Sequence, residues 1–277
     1  MQLYRSTIKS QSEGNDYSAT YTYTIGEEKG KGSCYGMFQD ETSFNSPVKI
    51  GNNVSSCAYM LSNTSFNQPI VIPNNVNNTA YMFLNSAFNQ PIIFPSNCFC
   101  AYALFNTPFN CDIVLGENCR LVGMLANCKG YNRNLQIPDS TITCEALFRN
   151  CQRLNQNIKI PSNASSCSSM FESTAMNQDI TIPSNVRIIS RMLFNTPFGR
   201  NVYIKGNVYR SILAYGLFDT STKRKNIWFH SSLNNEFNNT GLVGYDNGWS
   251  IKPTWTSMTN GFYNTQFNIY CYYNYTG

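Results

Sequence analysis

The sequence predicts a mainly-β repeat solenoid, a stack of short coils that each contribute one short strand. Two observations lead there. A short apolar-x-apolar run begins at Val48, Ile70, Ile92, Ile113, Leu135, Ile158, Ile180 and Val202, at steps of 22, 22, 21, 22, 23, 22 and 22 residues. A self-similar period in the range of about 20–50 residues is the signature of stacked repeats. Further columns keep phase with that run. The anchors are Met37, Met60, Met82, Ala103, Met124, Leu147, Met170 and Met192, with Cys34, Cys57, Thr79, Cys100, Leu121, Cys144, Cys167 and Ile189 three residues earlier.

Each element follows from its residues. In the apolar-x-apolar run, the first and third residues face one side and the middle residue the other, as in a strand. Pro73, Pro95, Pro138, Pro161 and Pro183 follow the third position. Proline has no N–H for a ladder, so each strand stops after three residues. The residue three positions before the anchor, the anchor and the large apolar residue after it are spaced i, i+3, i+4, which predicts one helical turn per coil. Asp40, Asn63, Asn85, Asn106, Asn127, Asn150, Ser173 and Asn195 stand three residues past the anchors, where small hydrogen-bonding side chains suit a turn. A coil of this length cannot bury its apolar side chains alone, so the coils must stack.

The ends are read by the same pattern. Tyr23-Thr24-Ile25-Gly26 matches Val48-Lys49-Ile50-Gly51 and predicts an earlier copy. Weaker copies are expected from Ile227, Trp249 and Cys271. The expected division is an N-terminal arm or cap over residues 1–22, the regular solenoid over 23–205, and divergent C-terminal repeats with a cap over 206–277. Exposed strand edges at both ends call for cover.

Composition excludes several classes. Of 277 residues, 42% are hydrophobic and 13% charged, and 38 are Asn, so a disordered polar chain is excluded. No apolar run approaches the roughly 18–20 residues of a membrane span, so no membrane insertion is expected. The net charge of +5 is scattered along the chain and does not point to nucleic acid. The start, MQLYRSTIKSQSEGNDYSAT, is polar and lacks the apolar core of a signal peptide. The expectation is a chain made in the cytoplasm without a signal peptide, its eleven cysteines reduced. Cys34, Cys57, Cys100, Cys144 and Cys167 then form a buried thiol column.

The order I-P-x-x-V, A/M-F-x-x-C-x-x-L, I-x-I-P resembles the leucine-rich repeats of the BspA type, most closely in IPDSTITCEALFRNCQRLNQNIKIPSN from Ile137 to Asn163. The "MF … FNQ" segments also resemble repeats of bacterial and mycoplasmal surface proteins. The resemblance covers Cys34 to Lys205 well and the remainder loosely. It implies a right-handed, leucine-rich-repeat-like solenoid with one short parallel strand and one helical turn per coil. It also implies a recognition scaffold, since such repeats serve many partners. Two features depart from the pattern: the Asn ladder is displaced to the turn after the anchor, and the start lacks a secretion signal.

Residues fit for catalysis are scarce. The one His, His230, sits beside a strand-like segment, and carboxylates are dispersed. No Ser-His-Asp set and no paired acid and base can be assembled from them. Gly26 to Gly32 lacks the Gly-Lys-Ser/Thr ending of a phosphate loop. Cys98, Cys100, Cys111 and Cys119 lack the paired C-x2–4-C spacing of a zinc site. No catalytic residue, metal or cofactor is therefore expected. Stacked neighbours such as Cys34/Cys57 and Cys144/Cys167 stand close enough to bridge if oxidised.

The candidate binding surface is the row of outward strand residues. Val71, Ile93 and Val114 make an apolar stripe, Tyr203 and Trp228 an aromatic one, and Tyr272 is a further outward residue of the same surface. Strand propensity or cover by the N-terminal arm accounts for the same stripe without a ligand. Lys223, Arg224 and Lys225 form a basic run that suits a surface loop or a phosphate or anionic glycan contact. The resulting expectation is a non-enzymatic structural or recognition protein, a bacteriophage virion component such as a tail fibre, baseplate or capsid decoration. A bacterial cell-surface adhesin is the alternative, and a glycan-active enzyme a more distant one. Expected partners are proteins of a larger assembly and a host surface protein or glycan, with a homo-oligomer as one possible form.

Overall fold

The computed structural model describes residues 4–7, 21–25, 32–198, 200–205, 225–229 and 267–271. Eleven short strands and no helix occur among them: β1 (Tyr4–Thr7), β2 (Tyr21–Ile25), β3 (Gly32–Ser33), β4 (Val48–Ile50), β5 (Val54–Ser56), β6 (Ile92–Phe94), β7 (Ile113–Leu115), β8 (Ile180–Ile182), β9 (Asn201–Ile204), β10 (Lys225–Phe229) and β11 (Phe267–Cys271). The sheets have the orders β1-β2-β4, β3-β5, β6-β7 and β11-β10-β9-β8. Every pairing is parallel except β1 with β2, which is antiparallel.

The register of these pairs reproduces the repeat read from the sequence. Val48 stands opposite Tyr23, Ile92 opposite Ile113, and Ile180 opposite Val202. In β4, β6 and β8 the first and third residues are buried and the middle one is exposed. The runs from Ile70, Leu135 and Ile158 keep the same alternation without forming assigned strands. After β4, after β8 and after the run from Ile70, the carbonyl of the next residue starts a turn: Val54 N–H donates to Gly51 O at 3.1 Å, Val186 N–H to Pro183 O at 3.2 Å and Val76 N–H to Pro73 O at 3.0 Å. Gly116 takes the proline's place after β7, and a Cβ there would lie 2.3 Å from the Ser96 nitrogen.

The expected helical turn is not formed, and the hydrogen bonds give the reason. In the segment around Met60 the N–H groups of Cys57, Tyr59, Leu61 and Asn63 donate to Asn78, Ala80, Met82 and Leu84 of the next repeat, at 2.7–3.0 Å. Only the intervening groups bond locally, Met60 N–H to Cys57 O and Ser62 N–H to Tyr59 O. These are consecutive β-turns, with Tyr59 and Asn63 at φ of 58° and 56°. A residue at φ near +60° cannot continue a right-handed helix. Two bends place Cys57, Met60 and Leu61 inward with the same spacing that a helical turn would give, and all three are buried.

A second line of isolated parallel bridges joins Ser56, Asn78, Phe99 and Arg120, and then Thr143, Ser166 and Ile188. Neighbouring repeats are thus bonded along the strands, along this line and along the turns. The core between these lines holds a file of aromatic rings. Phe66, Phe88, Phe109, Tyr131, Phe148 and Phe171 follow one another at centroid spacings of 5.8–6.2 Å, stacked throughout. Cys34, Cys57, Cys100, Cys144 and Cys167 are buried in it, as the column read from sequence requires.

At the C-terminal end the register corrects one expectation. β10 lies directly between β9 and β11, with Ile227 opposite Val202 on one side and Ile269 on the other. No copy from Trp249 intervenes in this sheet, and Cys271 stands opposite Phe229 rather than Ile227. Trp249 itself lies outside the described residues.

Candidate recognition surface

The outward strand residues are where the alternation puts them. Val71, Ile93 and Val114 are 80%, 62% and 57% exposed, on three consecutive repeats, and Ile93 and Val114 are opposite one another in register. Pro69 and Pro91, also exposed, widen the patch at its edge. Lys49 precedes the stripe, and Gln136, Lys159 and Thr181 follow it, all exposed. These three polar residues separate the stripe from Tyr203, which is half-buried. The two predicted patches are therefore not brought together. Trp228 stands opposite Tyr203 and Tyr270 in backbone register. Tyr272, Lys223 and Arg224 lie outside the described residues, and Lys225 is the first residue of β10.

Asparagine holds the flanks of this face in two ladders, which accounts for much of the Asn content. In one, each Asn Oδ1 accepts the backbone N–H of the equivalent Asn one repeat on: Asn45 from Asn67, Asn67 from Asn89, Asn89 from Asn110, Asn110 from Asn132, Asn132 from Asn155 and Asn155 from Asn177, at 2.8–3.0 Å. In the other, side chains bond to side chains: Asn63 Nδ2 donates to Asp40 Oδ1 at 2.6 Å, Asn85 to Asn63 and Asn106 to Asn85 at 2.8 Å. Every member of this second ladder sits at positive φ, from 54° to 66°. Asn and Asp tolerate that conformation best among residues with a side chain.

A second feature was not picked out from the sequence. Tyr35, Tyr59, Tyr81 and Tyr102 form a ladder of rings along the turns, with centroids 5.5, 4.7 and 5.2 Å apart. Ala58, Ala80 and Ala101 pack behind them in a small cluster of their own. Tyr59, Tyr81 and Tyr102 all have φ between 53° and 58°. The ladder ends at Gly123, φ 57°, where the Tyr102 ring fills the place of a Cβ at 2.3 Å. Burial, then the neighbouring Tyr59 and Tyr102, raise the Tyr81 phenol above its ordinary value. The signal in the sequence is the recurring A-Y before the anchor in three consecutive repeats.

A shallow groove opens on the line of bridges, lined by Asn97, Cys98, Phe99, Asn118, Cys119, Arg120 and Ile142. Phe99 and Ile142 are 38% and 57% exposed on either side of Arg120. Among the described residues, the exposed large apolar side chains belong to the stripe, to this groove or to the head of the tyrosine ladder. No group of three or more His, Cys, Asp and Glu among the described residues is arranged to hold a metal ion.

The family described as "Mycoplasma protein of unknown function, DUF285" matches residues 32–97, 96–182 and 118–203, more than half of the chain. The chain belongs to this family. The matched region carries the stripe, both asparagine ladders, the tyrosine ladder and the groove, whereas Trp228 and the basic run lie beyond it. No curated protein and no solved structure matches the chain.

Proposed function

We propose that the chain is a non-enzymatic recognition scaffold, a right-handed solenoid that presents the Val71–Ile93–Val114 face to a protein partner. The observation that carries this reading is the stripe itself. Three aliphatic side chains on consecutive repeats are left in water, while the residues on either side of each are buried, or half-buried at Ile113. Contiguous exposed apolar patches mark interaction sites. Covering each such side chain is worth about 1.5–3 kcal/mol. The asparagine ladders on the flank hold the backbone under the stripe in place, which lowers the ordering cost of binding. The first setting we propose is a bacteriophage particle, where the face would meet a neighbouring subunit or a host receptor. The second setting we propose is a cell-surface adhesin, in line with the resemblance of the "MF … FNQ" segments to repeats of bacterial and mycoplasmal surface proteins.

The test is Ile93→Asp, compared with the wild type by circular dichroism and by native mass from light scattering under reducing conditions. The expected result is an unchanged fold with loss of self-association or of partner capture. Unchanged assembly and capture with a normal spectrum would sink the proposal.

A further inference from the structure

The apolar stripe is nearly symmetric about its middle. Val71, Ile93 and Val114 stand outward on three consecutive repeats, a valine on either side of the isoleucine. Long polar side chains close the row, Lys49 on the repeat before and Gln136 on the repeat after, both exposed. Such a row is self-complementary under a two-fold axis that passes through Ile93, lies in the face and runs parallel to the strands. That operation reverses the order of the repeats. Val71 then meets the second copy's Val114, Ile93 meets its own equivalent and Lys49 meets Gln136, the crosswise exchange that marks an isologous interface. An axis along the stack keeps the order instead and sets Lys49 on Lys49 and Lys159 on Lys159, like charge against like.

A carboxylate on the same face favours the reversed order as well. Asp112 lies two positions before Val114, and its side chain is exposed, with Arg133 Nη1 4.0 Å away. Within one chain Lys49 and Asp112 belong to runs three repeats apart, about 14 Å at the spacing of neighbouring strands and beyond ion-pair reach. In the reversed pairing the second copy's Lys49 lies over the Gln136 repeat, next to that of Asp112. The two residues are then about 8 Å apart in the plane of the face, a span that their side chains cover together.

We propose that the partner of the stripe is a second copy of this chain, docked face to face with its repeats in reverse order, an inference that rests on the recognition reading above. Ile93 sits on the axis, the two valines pair crosswise, and Lys49 of each copy pairs with Asp112 of the other. The contact spans five repeats, at the small end of specific interfaces, so the dimer is reversible and forms with rising concentration.

The experiment follows the mass of the full chain by analytical ultracentrifugation over a range of concentrations under reducing conditions, with circular dichroism as the check on folding. The expected result is a monomer–dimer equilibrium that Ile93→Asp abolishes. Lys49→Glu and Asp112→Lys should each weaken the dimer about tenfold. Both changes in one chain should bring it back to within about threefold of wild type, because the swapped charges meet only between copies. A wild-type monomer at every concentration overturns the self-pairing, and recognition of a different protein by the stripe then stands on its own test. A dimer broken by Ile93→Asp but indifferent to the single charge changes, or not restored by the double swap, overturns the reversed pairing and leaves the stripe as an interface. A dimer that Ile93→Asp leaves intact takes the stripe out of the contact and overturns the proposal together with the reading beneath it.

Discussion

Tyr131 shows how closely one residue can satisfy one requirement and fail another. Its ring completes the aromatic file between Phe109 and Phe148, yet its hydroxyl is buried without a hydrogen-bond partner among the described residues. An unsatisfied buried hydroxyl costs about 1–3 kcal/mol. Tyr131→Phe should therefore raise the unfolding free energy by about 1 kcal/mol, read from the denaturant midpoint at constant m. Glu172 is the opposite case, a nearly buried carboxylate that is fully engaged. Burial pushes its pKa up, but hydrogen bonds to Arg191 at 2.9 Å and to Ser169, together with nearby positive charge, bring it below its ordinary 4.5. Arg191 is held in turn over the Phe194 ring at 3.6 Å. A lowered folded-state pKa adds stability that is present above the unfolded value and is lost as pH falls through the folded one. Wild type should exceed Glu172→Gln in stability at neutral pH, and in urea titrations the difference should shrink as the pH falls below the ordinary carboxylate value and through the lowered folded-state one.

At the scale of the element, the two asparagine columns use the same residue for different chemistry, and substitution separates them. Asn89 is used as an acceptor of the Asn110 N–H, a role that a carboxylate can also fill. Asn85 is used as both donor and acceptor between Asn63 and Asn106. Asn89→Asp should thus be tolerated, whereas Asn85→Asp should cost about 1–2 kcal/mol, because it removes a donor and sets two acceptors face to face. Equal melting temperatures for the two variants would contradict this division of roles. The strand and the turn also differ in how far they could be read from sequence. Alternation over three residues has one interpretation, so Val48-Lys49-Ile50 and Ile92-Ile93-Phe94 could be placed on the correct faces. The i, i+3, i+4 spacing of Cys57, Met60 and Leu61 has two, a helical turn or a pair of β-turns. The choice between them was made by where the N–H groups of Tyr59 and Leu61 are satisfied, in the next repeat. The tyrosine ladder escaped notice for a related reason. Its side chains lie outside the apolar columns, and its meaning comes from rings of different repeats meeting in space.

For the whole molecule, the repeat phase was legible from Cys34 to Val202, because each column recurs often enough to outweigh single departures such as Thr79 or Leu121. Beyond Val202 a single weak copy carried each expectation. The pattern at Ile227 matched the register of β9, while Ile269 rather than Cys271 pairs with it. The contrast between inward and outward positions is the test at this scale. Ile160 is buried at 3% exposure. Ile160→Asp places an uncompensated charge in the core and should abolish folding, whereas the outward Ile93→Asp should not. A folded Ile160→Asp chain, with a cooperative melt close to wild type, would mean that the core is less continuous than the burial pattern implies.

The hydrogen bonds from each repeat to the next set a rule for changes in chain length. Asn89 reaches Asn110 across 21 residues, Asn110 reaches Asn132 across 22, and Asn132 reaches Asn155 across 23. The fold therefore absorbs a one-residue slip inside a loop, provided that every ladder closes again in the same register. An insertion or deletion of half a repeat would bring strand residues against turn residues and break all the ladders at once. Removing or duplicating a whole repeat, cut at equivalent points, would leave each file of Asn, Cys and Phe unbroken. Such a molecule should grow or shrink in whole units, and with it the length of the face that it offers to others.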